Sequence, residues 1–256
     1  MAKVKFFKYA GSDPAFADFT DFAHLEFQEG VTARKAVLVD TETGNRLVLK
    51  GENLEYADGA LSGRITSLTF TDSHSAKLVS ITKARADGDT LWSAYDGGDG
   101  FGDLYGMLGY VLRGRDTITG SSKIDYLSGF EGKNTIRAGG GNDRLDGGEG
   151  KDRLFGAGGK DEFYGYGGND RMTGGKGSDS FYFYGQSGKD VITDFDAKGG
   201  GNRQDYLMLY SEDTFTVKKA GDDVLIKFDD GDTIRLLDVP FRQFDRDVDI
   251  RLFDMA

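Results

Sequence analysis

Between Val111 and Phe181 a single apolar side chain returns every nine residues: Ile118, Leu127, Ile136, Leu145, Leu154, Phe163, Met172 and Phe181. Two positions before each of them stands Asp116, Asp125, Asn134, Asp143, Asp152, Asp161, Asp170 or Asp179. Two positions earlier again is glycine in every repeat but one, where Lys123 takes its place. One apolar residue in nine cannot form an amphipathic helix, which needs three or four in two turns. Glycine at this density also opposes helix, by about 1 kcal/mol at each position. The first six residues of each nonapeptide suit a turn with positive φ, and the last three, polar, apolar, polar, suit a minimal strand with one side chain inward. Turn and strand repeated in this way predict a solenoid, in which neighbouring repeats bury what none could bury alone. After a two-residue insertion, Phe183 and Tyr184, the beat returns as "GQSGKDVIT" with Asp190 and Ile192.

Two repeats to each revolution would stack repeat i on repeat i+2. Asp143, Asp161 and Asp179 then form one column, and Asp152 and Asp170 another, with Asp116 and Asn134 at its start. Stacked carboxylates repel unless a cation lies between them. Glycine-rich turns also leave backbone carbonyls exposed and close together. The candidate ligands are Asp116, Asp125, Asn134, Asp143, Asp152, Asp161, Asp170, Asp179 and Asp190, with the turn glycines Gly141, Gly148, Gly150, Gly159, Gly168, Gly175 and Gly177. A carboxylate with several carbonyl oxygens, and no His or Cys, favours Ca²⁺ over Mg²⁺ because the geometry is flexible and rich in oxygen. The expected cofactor is Ca²⁺, about five ions.

The rest of the chain alternates in the manner of strands. "KAVLVDTETGNRLVLKG" reads as a hairpin, and "LEYADGALSGRITSLTFTD" as a strand pair around Asp58-Gly59. Phe101, Leu104, Tyr105, Leu108, Val111 and Leu112 recur at helical spacing, and a helix there would cap the open end of the roll. "DDVLIKF" and "DTIRLLDV" flank Asp229-Asp230-Gly231 as a C-terminal hairpin. The tail "PFRQFDRDVDIRLF" suits either a helix or an edge strand. The fold class expected is all-β: a parallel β-roll of nonapeptides between a β-rich N-terminal module and a C-terminal capping hairpin. The divisions are 1–100, 101–195 (helical cap and roll) and 196–256.

Composition narrows the partners. The 256 residues carry a formal charge of −11, which disfavours nucleic acid and anionic lipid. Of 43 acidic residues 34 are Asp, the acid of tight turns and short-armed metal loops. The absence of cysteine excludes disulfides, thiolate zinc sites and cysteine nucleophiles. No stretch has the length of a membrane span, and "MAKVKFFKYAGSDPAF" lacks the apolar run of a signal peptide, so the expectation is residence inside the cell or exit without an N-terminal signal.

"GGEGKDRLF" and "GGKGSDSFY" resemble the RTX (repeats-in-toxin) nonapeptide, GGxGxDxUx, of bacterial hemolysin-type calcium-binding proteins. The resemblance spans about 111–195. "GKDVITDFDAKGGGNRQDYLML" is similar to the segment that closes the roll in that family, "DDVLIKFDDGDTIRLLDV" to its C-terminal hairpin, and "FDMA" to the tails of type I substrates. The family implies a parallel β-roll with Ca²⁺ between stacked turns. It also implies export to the extracellular space by a type I secretion transporter that reads an uncleaved C-terminal signal. Lys123, Asn134, Val111 and Leu112 depart from the motif, so the N-terminal edge of the roll is expected to bind calcium weakly or not at all.

Catalytic signals do not accumulate. His24 and His74 stand far apart and outside any His-Glu-x-x-His, Gly-x-Ser-x-Gly is absent, and Ser73–His74–Ser75 reads as a polar loop. Forty-three acids contain no pair that spacing singles out for glycoside hydrolysis. The leading reading is a non-enzymatic, secreted calcium-binding protein of the cell surface or matrix whose N-terminal module binds polysaccharide or a cell surface. The alternative is a hydrolytic or polysaccharide-active enzyme with its site in 1–100. A membrane-active toxin would need a long apolar segment, which the chain lacks. About five Ca²⁺ would bring about +10 against the −11 of the chain, so electrophoretic mobility should fall on calcium addition; mobility indifferent to calcium would contradict multiple sites.

Overall fold

β-Branched and aliphatic residues alternating with polar ones build the N-terminal strands. The computed structural model describes residues 3–6, 25–27, 31–41, 44–57, 60–71, 77–87, 112–185, 187–197, 203–210, 212 and 214–253. It divides into two units, 1–119 and 120–256. The first holds β1 (Lys3–Phe6), β2 (Leu25–Phe27), β3 (Lys35–Asp40), β4 (Arg46–Ala57), β5 (Ala60–Thr71), β6 (Lys77–Asp87) and β7 (Thr117–Thr119). These form a sheet in the order β7-β1-β6-β5-β4-β3-β2, antiparallel except for the parallel pair β1 and β7. Both expected N-terminal hairpins are present: Val37 pairs with Val48, and Ala57 with Ala60 across Asp58-Gly59. Ala36, Leu38, Leu47, Leu49, Ile65 and Leu68 are buried, as alternation on a sheet with one covered face requires. The helical stripe from Phe101 to Val111 lies outside the described residues, as do His24 and Ser73–Ser75.

In the second unit alternate nonapeptides feed opposite sheets. One sheet is β8 (Tyr126–Ser128), β11 (Arg144–Asp146), β14 (Glu162–Tyr164), β16 (Ser180–Phe183), β18 (Tyr206–Tyr210) and β22 (Ile250–Phe253), parallel throughout. The other runs through β10 (Thr135–Gly140), β13 (Arg153–Gly158), β15 (Arg171–Lys176), β17 (Lys189–Ile192) and β21 (Thr233–Leu236), also parallel. Two short strands, β9 (Glu131–Gly132) and β12 (Glu149–Gly150), pair between turns. Repeat i lies on repeat i+2 in strict register: Leu145 faces Phe163, Phe163 faces Phe181, and Leu154 faces Met172. The inward residue of each repeat is thereby enclosed, and Leu127, Ile136, Leu145, Leu154, Phe163, Met172, Phe181 and Ile192 are all buried. Like stacks on like, as with the Phe163 and Phe181 rings, 4.7 Å apart. On the outer side Tyr164 and Tyr182 stack at 4.5 Å, with the Arg144 guanidinium 4.0 Å from the Tyr164 ring.

The C-terminal elements continue the same core. Leu207 and Ile250 extend one inward row, and Ile234 and Leu236 the other. β20 (Asp223–Phe228) pairs antiparallel with β21, forming the expected hairpin, and β19 (Phe215–Ala220) lies beside β20, carrying Lys218 and Lys219 at the sheet edge. The tail is both helix and strand: one turn, α1 (Arg246–Asp249), capped by Asp245, then β22. Phe181→Ala should cost about 3–5 kcal/mol of stability in denaturant titrations at saturating calcium. A cost below about 1 kcal/mol would contradict the inward row.

Candidate metal centre

The sixth residue of each nonapeptide is placed by the strand that begins just after it, and its side chain turns back under the stack. Among the candidates the burial is uniform: Asp116, Asp125, Asn134, Asp143, Asp152, Asp161, Asp170, Asp179 and Asp190 are all buried. They form two ladders. In one, the backbone N–H of Asp125 donates to Asp143 Oδ1 (2.8 Å), that of Asp143 to Asp161 Oδ1 (2.9 Å), and that of Asp161 to Asp179 Oδ1 (2.9 Å). In the other, the N–H of Asn134 donates to Asp152 Oδ1 (2.6 Å), that of Asp152 to Asp170 Oδ1 (2.8 Å), and that of Asp170 to Asp190 Oδ1 (2.8 Å). Each carboxylate therefore fixes the register of two stacked turns with one oxygen. Asp116 belongs to the first unit and Asp125 begins a ladder.

The second oxygen is the informative one. Oδ2 of Asp143, Asp152, Asp161, Asp170, Asp179 and Asp190 is buried without a hydrogen-bond partner. A buried carboxylate oxygen with no donor is costly, and a row of six demands a counterpart. Asn134 identifies what that counterpart must do. Its Nδ2 occupies the place that Oδ2 takes in the Asp repeats, 2.8 Å from where a Cβ on Gly129 would stand; Asp170 Oδ2 lies 2.8 Å from the same point on Gly165, and Asp152 Oδ2 3.0 Å from it on Gly147. From there Nδ2 donates to Gly129 O (2.9 Å) and Glu131 O (3.3 Å). In an Asp repeat the same place holds an acceptor facing acceptors, which a bound metal ion, or a proton on the carboxyl, would reconcile. A hard, oxygen-seeking ion such as Ca²⁺ fits this donor set of one carboxylate and turn carbonyls. Bound there, it would neutralise the carboxylates and tie each turn closed. No three His, Asp or Glu side chains converge among the described residues, so the turn carbonyls must supply most of the ligands.

The turn glycines serve that geometry. Gly148 and Gly175 have φ of 85° and 100°, and Gly141, Gly150, Gly159, Gly168 and Gly177 lie between 132° and 150°, a region side chains rarely enter. The second position is less strict, since Phe130, Ala157 and Tyr166 hold positive φ there. The first position must be bare for another reason: a methyl at Gly165 or Gly120 would press on the Oδ2 of its own repeat. Nearer the N-terminal edge, Asp125 Oδ2 is not stranded, because it accepts the Ser121 N–H at 2.6 Å.

The ionisation of the ladder follows from burial. Desolvation pushes Asp143, Asp152, Asp161 and Asp190 up to about 7 and Asp170 to about 8, partly offset by the backbone N–H each accepts. Asp179 rises to about 6 for the same reason.

Three further acids escape a reading based on the nine-residue beat. Asp205 Oδ1 accepts the Asp179 N–H (3.0 Å), ending the first ladder, and its Oδ2 accepts the Asp196 N–H (2.9 Å). Asp194 receives the N–H groups of Gly174 and Gly175, both at 2.9 Å. Asp232 carries a buried, unpartnered Oδ2 beyond the repeats. Asp205-Tyr206-Leu207 repeats the Asp-x-apolar signature, so a search for that triplet at irregular spacing would have found the first.

Residues 110–145 and 146–181 match the family model of the RTX calcium-binding nonapeptide repeat, four copies each. The chain thus carries RTX repeats, and such repeats bind calcium. No curated protein gives a significant match. Among solved structures, the extracellular lipase LipA from Serratia marcescens is similar at 16% identity with a TM-score of 0.32, over 55% of this chain and 38% of the lipase. This chain therefore matches well under half of that protein's length.

Two outcomes test the centre. The native carboxyls titrate above the unfolded value of 3.8, so the folded roll binds more protons between about pH 4 and 7, and its stability rises as pH falls through that window. In EGTA, acidification from pH 8 to about 5 should restore part of the strand signal in circular dichroism, while the calcium midpoint rises because protons compete. An apo signal that only weakens with acid would contradict the buried ladder. Asn134→Asp should add one bound calcium in equilibrium dialysis and make folding need more calcium; an unchanged count would refute the reading of Nδ2 as standing where an ion-binding Oδ2 stands in the other repeats.

Proposed function

We propose that this is a secreted protein that leaves the cell unfolded and is folded by extracellular calcium, as a component of the cell surface or matrix. The observation that carries the reading is the row of six buried, unpartnered carboxylate oxygens. At the micromolar or lower calcium of a cytosol their mutual repulsion and the freedom of the glycine-rich turns oppose the roll. At about millimolar calcium, the range of extracellular modules, the ion reverses the balance. A chain that stays open inside and closes outside suits a type I transporter, with the export signal in 196–256. No helix among the described residues is long and apolar enough to cross a membrane.

The N-terminal module, 1–100, is proposed to bind an extracellular polysaccharide or cell surface, with the roll as its calcium-dependent partner in folding. Broad antiparallel sheets such as β3 to β6 offer the extended face that a polymer needs. The calcium-loaded full chain should be retained by insoluble polysaccharide without shortening it; released oligosaccharide would favour an enzyme instead. Truncation before Asp205 should trap the chain in a producing cell with a matching transporter, and continued export would place the signal elsewhere.

A further inference from the structure

The last turn of the second ladder differs from the rest. Asp190 is 1% exposed; its Oδ1 accepts the Asp170 N–H, the Ser187 side chain also favours its charged form, and no donor lies within hydrogen-bond distance of its Oδ2. No nonapeptide follows it. Instead β21 of the C-terminal hairpin pairs with β17, Lys189 against Thr233 and Asp190 against Ile234, and the Thr233 N–H donates to Gly188 O at 2.9 Å. The residue just before Thr233 is Asp232, whose Oδ2 is also buried without a partner. The two carboxylates are close enough for Asp232 to disfavour the charge on Asp190, beside the larger effect of burial.

Two buried carboxylate oxygens without a hydrogen-bond partner, from separate elements, lie close enough to interact at this end of the ladder. We propose that Asp190 and Asp232 together hold one further Ca²⁺, which fastens the C-terminal hairpin to the end of the roll. This rests on the calcium reading above and adds to it a ligand outside the repeats. The carbonyl of Ser187, three residues before Asp190, corresponds to Glu131 O in the Asn134 turn and is the backbone oxygen available to the same ion. With two formal charges against one in its neighbours, this site fills first as calcium rises. The hairpin then docks before the interior turns close, and β21 offers β17 a finished edge to pair with.

The test uses the full chain and counts bound calcium by equilibrium dialysis at saturation, with hydrogen exchange of the hairpin amides Val224–Leu236. Asp232→Asn should remove one ion and speed hairpin exchange, while the ladder amides of Asp143 and Asp161 stay protected. Asp190→Asn should fold, because its amide can satisfy its own turn as Asn134 does, and it too should remove one ion. The double variant should lose one ion, not two, since both residues serve the same site. An Asp232→Asn protein that binds the wild-type number of ions overturns the proposal, as does a double variant that loses two. Should Asp232→Asn not fold, Asp190→Asn decides: an unchanged ion count or unchanged hairpin exchange overturns it. A wild-type chain that binds no calcium would instead overturn the calcium reading as a whole.

Discussion

A carboxylate with one oxygen committed and the other stranded is the constraint on which the roll depends. Oδ1 of each ladder Asp accepts a backbone N–H from the turn stacked before it, eighteen residues back within the regular repeats and twenty for Asp190, which sets the stacking register. The same contact holds Oδ2 in a dry place among carbonyls. The interaction that gives the fold its order thus creates a charge that the protein cannot satisfy by itself. RTX repeats bind calcium, and such an ion would supply the counterpart that these oxygens lack. A fold built this way would be conditional on the ions in its solvent.

Other features answer to this constraint. The first-position glycines leave room for Oδ2, and those at the fourth position hold φ near 140°. The inward row supplies hydrophobic burial, but one side chain in nine is a thin core, and each repeat relies on both neighbours. Stacking would make ion binding cooperative, since an ion that closes one turn presents the next with a finished edge. Two turns satisfy this position from within the chain: the Ser121 N–H donates to Asp125 Oδ2, and an amide replaces the carboxylate at Asn134. Those turns lie together at the N-terminal end of the roll, where no preceding turn of the second unit helps to hold them.

Much of the roll could be read from the sequence because three residue types share one period. Spacing of eighteen identified the partners Asp143, Asp161 and Asp179 before any coordinates. What could not be read was which oxygen bonds to what. The sequence shows Asn134 only as a ligand of lower charge, and the structure adds that its amide donates to Gly129 O and Glu131 O from the place that Oδ2 takes elsewhere. Asp205 and Asp232 were missed because the chain reaches them through irregular segments, and a period carries no information once it is broken. The tail was ambiguous for a physical reason: "DRDVDIRLF" has the cap and acids of a helix start followed by the alternation of a strand, and it forms both. The recognition role of the N-terminal sheet has no such pattern behind it, since alternation reports burial and not partners.

The most direct measurement is amide hydrogen exchange of the ladder donors Asp143, Asp152, Asp161, Asp170 and Asp179 in the intact chain at neutral pH. In millimolar calcium these amides should be among the slowest in residues 120–256, and in EGTA they should exchange at the rates of an open chain. Slow exchange in EGTA at neutral pH would mean that the ladder stands without its ion, and would contradict the account.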